Sequence, residues 1–247
     1  MESRAVIGAD AVVRIWERGR REHAVDRALT ILAALTDRPR RELAAISVER
    51  RDIMLLDWRC RLFGPVLAGY AACPGCGCGV DVSLTAADLA EPEEHFVVEV
   101  AGVSHPVRLP TSLDLLAIAG CENIEAARRM LIRRCLQDSL ADDENTAVPA
   151  ADAGLDAGAE AVAVAAETEL DRRAEVSAGM VELSCPDCGH GWTSELDIAA
   201  FAWREIEILA GRLLREVDVL ARRYGWSEQE ILGLTPSRRR FYLELAS

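Results

Sequence analysis

The sequence predicts an α+β fold that is predominantly helical, with a core of short strands around four cysteines and helices flanking it on both sides. Half of the 247 residues are apolar but only 5% are aromatic, so alanine, valine and leucine must supply the core, which favours helices. Long segments near both ends repeat apolar residues at helical spacing. Two copies of one cysteine motif lie beside short alternating segments, which are typical of strands.

The N-terminal region, residues 1–72, is predicted to be helical. Its first half repeats apolar residues at a helical period with a break near Gly19, which predicts two helices. Pro39 ends that pattern, because the residue before a proline disfavours helical geometry. Ser47 is a good N-cap for a further helix, whose apolar stripe runs to Phe63.

Residues 73–137 form the next region, which begins with a cysteine motif and strands and ends with helices. Ala101-Gly102 separates two β-type segments and predicts a hairpin turn. The predicted elements are strands over 80–84, 96–100 and 103–109 and helices over 111–119 and 124–136.

The composition changes sharply over residues 138–178. Two arginines stand against eleven acidic residues there, so this segment contributes −9 to a net charge of −13. Periodicity fades, and Pro149, Gly154 and Gly158 interrupt the alanine-rich run. We interpret the segment as an acidic linker or insertion, exposed over residues 140–165, and an acidic interaction tail is the alternative.

The C-terminal region, residues 179–247, is predicted to open with two strands and continue in helices. Apolar residues at three-and-four spacing over 198–224 predict the longest helix of the chain, which Gly225 can end. Ser227 and Glu230 form a capping box, and Thr235-Pro236 opens the last helix. The two predicted strands cover 180–184 and 192–196.

Two cysteine motifs are the strongest chemical signal. Residues 73–77 read CPGCG and residues 185–189 read CPDCG, so they differ only at the third position. A two-residue gap lets both sulfurs of a motif face one ion, and the glycine permits a left-handed turn. The pattern predicts a structural, zinc-ribbon-like site that holds one Zn²⁺. The predicted ligands are Cys73, Cys76, Cys185 and Cys188.

Cys78 and His190 follow the two motifs directly and are alternative ligands, although each breaks the two-residue gap. A redox-active dithiol is the competing interpretation, but thioredoxin-type chemistry needs one motif in a βαβ unit. Four thiolates close the coordination shell, whereas catalytic zinc keeps an open position. We therefore expect the site to be structural.

The composition argues against several enzyme classes. The chain contains no lysine, which excludes a P-loop, a Schiff-base enzyme and a protein kinase. The four histidines lack a metalloprotease spacing, and no nucleophile-elbow or dinucleotide motif is present. We expect a protein that is not an enzyme. Without a predicted signal peptide or membrane span, it is expected to be cytoplasmic, with its cysteines as thiols or metal ligands.

An arginine cluster lies beside aromatic residues near the C-terminus. Residues 238–240 are three arginines and precede a phenylalanine and a tyrosine. Such a cluster suits a nucleic-acid patch or a protein interface, and the alternative is a packing role in which the arginines pair with nearby acids and the aromatic residues face the core. The acidic chain argues against the nucleic-acid patch. The candidate partner-binding residues are Trp226, Arg238, Arg239, Arg240 and Tyr242.

The segment LARRYGWSEQEILGLTPSRRRFYLEL, residues 220–245, resembles a family of small baseplate proteins from T-even-type phages and phage-derived contractile injection systems. The segment RDIMLLDWRCRLFG, residues 51–64, which leads to the first cysteine motif, is similar to the same family. The resemblance implies a baseplate hub component or a hub-assembly chaperone, with other baseplate, hub or spike proteins as partners. The alternative is a zinc-ribbon nucleic-acid-binding or regulatory protein.

Overall fold

The computed structural model describes residues 7–36, 38–85, 92–137, 157–175 and 180–246, and within these ranges the chain is predominantly helical with short antiparallel strand pairs, as predicted. Within these ranges, none of the helices combines the length and the apolar composition of a transmembrane span. The helices are α1 (Ala9–Gly19), α2 (Ala24–Leu35), α3 (Arg40–Ala45), α4 (Val48–Phe63), α5 (Ser112–Ile118), α6 (Ile124–Gln137), α7 (Ala157–Glu175), α8 (Ile198–Tyr224), α9 (Glu228–Leu232) and α10 (Pro236–Ala246). The strands are β1 (Val66–Ala72), β2 (Gly79–Thr85), β3 (His95–Val100), β4 (Val103–Arg108), β5 (Met180–Ser184) and β6 (Gly191–Glu195).

The chain forms two compact units, each assembled from separate stretches of sequence. We call the first the helical unit and the second the hairpin unit. The helical unit comprises Met1–Leu43, Met54–Pro65 and Asp197–Ser247, and the hairpin unit comprises Ala44–Ile53 and Val66–Leu196.

Helix α8 is the axis of the helical unit. It begins where the Asp197 side chain accepts the Ala200 N–H at 2.8 Å, and it ends at Gly225 in the left-handed conformation, with φ of 72°. Its buried face, which includes Trp203 and Ile206, packs against α1 and α2. Local capping signals and apolar spacing thus determine α8, and the sequence prediction is confirmed.

A close approach between Gly19 and Trp203 shapes this packing. A Cβ atom built at Gly19 would overlap the six-membered ring of Trp203, so the absence of a side chain lets the indole lie against α1. On Trp203, the guanidinium of Arg27 lies 4.9 Å from the ring centroid. The indole is 4% exposed and connects α1, α2 and α8.

The core of the hairpin unit lies under the β3–β4 hairpin. Ala101 and Gly102 have φ of 52° and 78°, so a two-residue turn with both residues left-handed joins the strands, as the sequence predicts. Phe96 and Val107 on the inner face pack with apolar residues of the following helices, including Ala166. This burial orders β3, β4, α6 and α7 together.

Helix α7 corrects the interpretation of residues 138–178 as a solvated linker. Residues 157–175 form a helix, and Ala166 within it is fully buried. Arg173 lies 4.1 Å above the Phe96 ring and also pairs with Glu93 at 3.0 Å. Alanine side chains are small enough to let the helix approach the sheet, and this contact supplies the stability that composition alone does not indicate. Residues 138–156, which include most of the segment predicted to be exposed, lie outside the described residues.

A buried carboxylate organises the polar centre of the hairpin unit. Asp114 is 0% exposed and forms a capping box with Thr111 at the start of α5. It also accepts hydrogen bonds from Arg108 at 2.6 Å and from Arg134 at 2.7 Å. Burial by itself would raise the pKa of Asp114, but these donors together lower the pKa below its ordinary value.

Candidate metal centre

The two cysteine motifs form the turns of two hairpins in the hairpin unit. We call residues 73–78, between β1 and β2, the first knuckle, and residues 185–190, between β5 and β6, the second knuckle. In the first knuckle the Cys73 N–H donates to the Cys78 carbonyl at 2.8 Å, and in the second the Cys185 N–H donates to the His190 carbonyl at 2.9 Å. The equivalent bonds show that both motifs fold in the same way.

The glycine at the fifth position has the conformation that the motif predicts. Gly77 and Gly189 have φ of 73° and 71°, a region that favours glycine. Each glycine N–H donates to the carbonyl of the first cysteine of its motif, at 2.8 Å from Gly77 to Cys73 and at 3.0 Å from Gly189 to Cys185. These turns point both sulfurs of each knuckle to the same side.

The structure brings the four predicted ligands together. Their Sγ atoms all lie within 4.8 Å of one another, and the sulfur pairs Cys73–Cys188 and Cys76–Cys185 are each 3.7 Å apart. A tetrahedral ion with metal–sulfur bonds of about 2.3 Å requires sulfurs about 3.8 Å apart. The donor set and its spacing therefore fit one tetrahedral metal ion.

Exposure divides the cluster in the same way in both knuckles. Cys73 and Cys185, the first cysteines, are each 2% exposed, whereas Cys76 and Cys188 are exposed. The site thus lies at the surface of the hairpin unit, with one buried and one accessible sulfur from each knuckle.

In the free thiols, neighbouring groups shift the pKa values of Cys185 and Cys76 in opposite directions. The backbone N–H of Cys188 stabilises the thiolate of Cys185 and lowers its pKa to about 7. At Cys76 the backbone N–H of Cys78 acts in the same direction, but the Cys188 sulfur and partial desolvation outweigh it and raise the pKa to about 12. Since a metal binds thiolates, its binding must release protons from the cluster.

The alternative ligands Cys78 and His190 lie outside the group of possible metal ligands found among the described residues. The Cys78 thiol donates to the Gly79 carbonyl at 3.4 Å, and the neighbouring Asp187 raises its pKa to about 11. The His190 ring is exposed and stacks on Trp192 with centroids 6.2 Å apart.

Contacts between the knuckles account for the position at which the motifs differ. A Cβ atom at Gly75, the third position of the first motif, would lie 3.2 Å from Cγ of His190 in the second knuckle. In the second motif the third residue is Asp187, which interacts with Cys78 of the first knuckle. The third residue of each motif therefore lies against the residue that follows the opposite motif. His190 leaves little room for a side chain at position 75, which is a glycine.

The candidate partner-binding residues of the C-terminal region divide into two groups. Trp226, Arg238 and Tyr242 line a shallow cavity of about 190 Å³, together with Glu230 and Leu234. Trp226 and Tyr242 meet edge to face with ring centroids 4.9 Å apart. Three of the five residues that line this cavity are thus among the predicted partner-binding residues.

Of the two remaining candidates, Arg239 is buried, whereas Arg240 is exposed as an interface residue requires. Arg239 is 5% exposed, and its guanidinium donates to Glu216 and to the Leu234 carbonyl, both at 2.8 Å. It joins α10 to α8 inside the helical unit, because residue 239 lies on the inner face of α10.

Comparison with known protein families, curated proteins and solved structures finds no match to this chain.

Proposed function

We propose that the protein is a non-enzymatic component of the baseplate hub of a phage-like contractile injection system, or a chaperone of hub assembly, stabilised by one structural zinc ion. The four-thiolate cluster carries the zinc part of this proposal. The baseplate part rests on the resemblance of residues 51–64 and 220–245 to the baseplate family.

Zinc is the metal that best suits the cluster. Tetrahedral sites with sulfur ligands alone favour zinc or iron, and the C-x₂-C pairs have the spacing of structural zinc sites. Four protein thiolates fill the coordination shell and leave no position for substrate or water, which supports a structural role. Such a site can contribute on the order of 10 kcal/mol to folding.

The connectivity explains what the ion would do. Cys76 and Cys185 are separated by 108 residues, from 77 to 184, yet their sulfurs meet within the hairpin unit. One ion would therefore link the β1–β2 hairpin to the β5–β6 hairpin and close a long segment between them. Because two-stranded hairpins are marginally stable alone, the link would matter for the order of both.

Surface chemistry of the helical unit supports protein partners. The cavity at Trp226 and Tyr242 lies within the segment that resembles the baseplate family. Arg238 and Arg240 are exposed and form no ion pair with any other described residue. Aromatic residues beside arginine are typical of protein-interface hot spots, and arginine pairs well with carboxylates. We propose other baseplate, hub or spike proteins in the cytoplasm as partners.

Metal analysis tests the zinc site. We expect one zinc per purified chain, and we expect Cys73→Ser combined with Cys185→Ser to abolish it. Cys121→Ser is the matched control, since this partly exposed thiol lies outside the cluster. Protein without bound metal, or full zinc retention by the double variant, would refute the site, and bound iron would refute zinc.

Affinity purification from cells that carry the whole gene cluster tests the partner. We expect the wild type to retain a baseplate, hub or spike protein identified by mass spectrometry, and Arg238→Ser with Arg240→Ser to lose it. Arg204→Ser, an exposed change on α8, is the control. Retention by the double variant, or salt-sensitive nucleic acid in place of a particle protein, would contradict the proposal.

A further inference from the structure

The outer face of β1 is unusual for a strand of a two-stranded sheet. Four alternate residues of β1 point to this face, and all four are exposed: Val66, Ala68, Tyr70 and Ala72. The exposed fraction is 50% for Val66 and 72% for Tyr70. On the opposite face Leu67 is buried, at 5%. β1 is thus apolar on both faces.

The neighbouring strand β2 alternates polar and apolar residues, as a strand with one solvated face ordinarily does. The residues of β2 paired with the outer face of β1 include Ser83 and Asp81, which are exposed and polar, whereas Val80 and Val82 on the other face are half-buried. Antiparallel strands with one solvated face alternate apolar and polar residues, whereas strands buried on both faces are apolar throughout. The contrast within one hairpin indicates that β1, and not β2, offers apolar side chains on both faces to the side chains of a further strand beside it.

The free edge of β1 supports the same conclusion. Among the described strands β1 pairs only with β2, so its second edge has no strand beside it. Natural proteins protect such edges with charges, prolines, bulges or very short strands. β1 has seven residues in continuous register with β2, and it contains neither a charge nor a proline.

We propose that β1 is the interface of a homodimer, in which β1 pairs antiparallel with β1 of a second copy and Gly69 lies at the two-fold axis. The two hairpins then form one four-stranded sheet in the order β2-β1-β1-β2. This inference goes beyond the proposed function and does not depend on it.

The side-chain sizes of β1 are self-complementary in this register. Reading outward from Gly69, the facing pairs bring each larger side chain opposite an alanine of the other copy. The pairs are Ala68 with Tyr70, Leu67 with Ala71, and Val66 with Ala72. Facing side chains are the unit of sheet stabilisation, and alternating large and small residues let them interlock.

Charge and space also favour a second copy as the occupant. The chain carries a net charge of −13, so a homodimer requires a contact surface that does not oppose like charges, and β1 is uncharged. A Cβ atom at Gly69 would meet nothing within 4 Å, so packing within the chain does not require glycine there. A glycine at the axis allows the two backbones to approach closely.

Sedimentation velocity over a range of concentrations tests the dimer with the full-length, metal-loaded protein. We expect a reversible dimer for the wild type and at least about a tenfold weaker association for Ala68→Lys, because a charge would then face Tyr70 of the second copy. The matched control is Ser83→Lys, which adds the same charge on β2 and should dimerise like the wild type. Equal circular dichroism and metal content in all three proteins confirm that the variants fold.

Hydrogen–deuterium exchange of the wild type supplies a test that needs no variant. Amides within β1 should become more protected as the concentration rises, while those of the β3–β4 hairpin should not change. A wild type that remains monomeric, an Ala68→Lys protein that dimerises normally, or a dimer without added protection in β1 would overturn the proposal. So would a wild type that captures a strand of a different protein but never a second copy.

Discussion

Replacement of Asp114 by asparagine is the most demanding test of the hairpin unit. The carboxylate is 0% exposed, and it accepts bonds from Arg108 at 2.6 and 3.1 Å, from the Arg134 Nε at 2.7 Å and from the Thr111 N–H and hydroxyl, both at 2.8 Å. Asparagine keeps the shape but removes the negative charge, and its amide group directs two hydrogens toward these donors.

The magnitude follows from how well each donor can reach water after the change. The Arg134 side chain is 38% exposed and can be solvated, whereas the Arg108 side chain is only 11% exposed. Breaking a buried ion pair by removing one partner costs about 3–5 kcal/mol, because a buried charge loses its partner. Weakening the cap at Thr111 accounts for about 1 kcal/mol of that loss. We therefore expect Asp114→Asn to lower the unfolding free energy by about 3–5 kcal/mol.

The assay is urea unfolding of the metal-loaded protein, followed by circular dichroism, with Asp81→Asn on the exposed face of β2 as the control. The folded pKa of Asp114 lies below its ordinary value of 3.8. Its stabilising contribution is therefore complete above that pH and declines as the pH falls from there toward the folded pKa. The deficit of Asp114→Asn should shrink on acidification in that range. A loss under about 1 kcal/mol at pH 7, or a deficit that does not change with acid, would refute the reasoning.

Three further predictions concern the helical unit. Arg239→Ala should lower the unfolding free energy by about 2–3 kcal/mol, because the Leu234 carbonyl and the Glu216 carboxylate lose their donor. Arg240→Ala, at an exposed position, should change the unfolding free energy by less than about 0.5 kcal/mol. Equal thermal midpoints for these two variants would contradict the burial of Arg239. Gly19→Ala should cost about 1–3 kcal/mol by displacing the Trp203 ring, and unchanged indole fluorescence and stability would argue against the contact. Ser227→Ala should cost about 1 kcal/mol and speed amide exchange in α9, and unchanged exchange would mean that the cap is not needed.

The sequence predicts the structure well where the signals are local. Gly225 marks the end of α8, and the capping box of Ser227 marks the start of α9, because caps satisfy backbone groups a few residues away. The two cysteine motifs carry their own turn geometry for the same reason, so their spacing alone identifies the four cysteines whose sulfurs meet.

Features that depend on distant contacts were not predictable. Helix α7 has weak periodicity, and its stability comes from contacts such as Ala166 in the core beneath β3. The role of Arg239 depends on Glu216, which lies 23 residues away on α8. The strand β1 lacks alternation, so its sequence reads as an apolar run and its pairing with β2 appears only in the folded chain.

The sequence by itself therefore determined the helical character, the limits of the capped helices and the identity of the four thiol ligands, since spacing and capping act over a few residues. Only the tertiary structure decided that the sulfurs of Cys76 and Cys185, with 108 residues between them in the chain, meet at 3.7 Å, and which arginine of the C-terminal cluster is buried. These outcomes depend on which surfaces exclude water together, and a pattern within one segment does not contain that information.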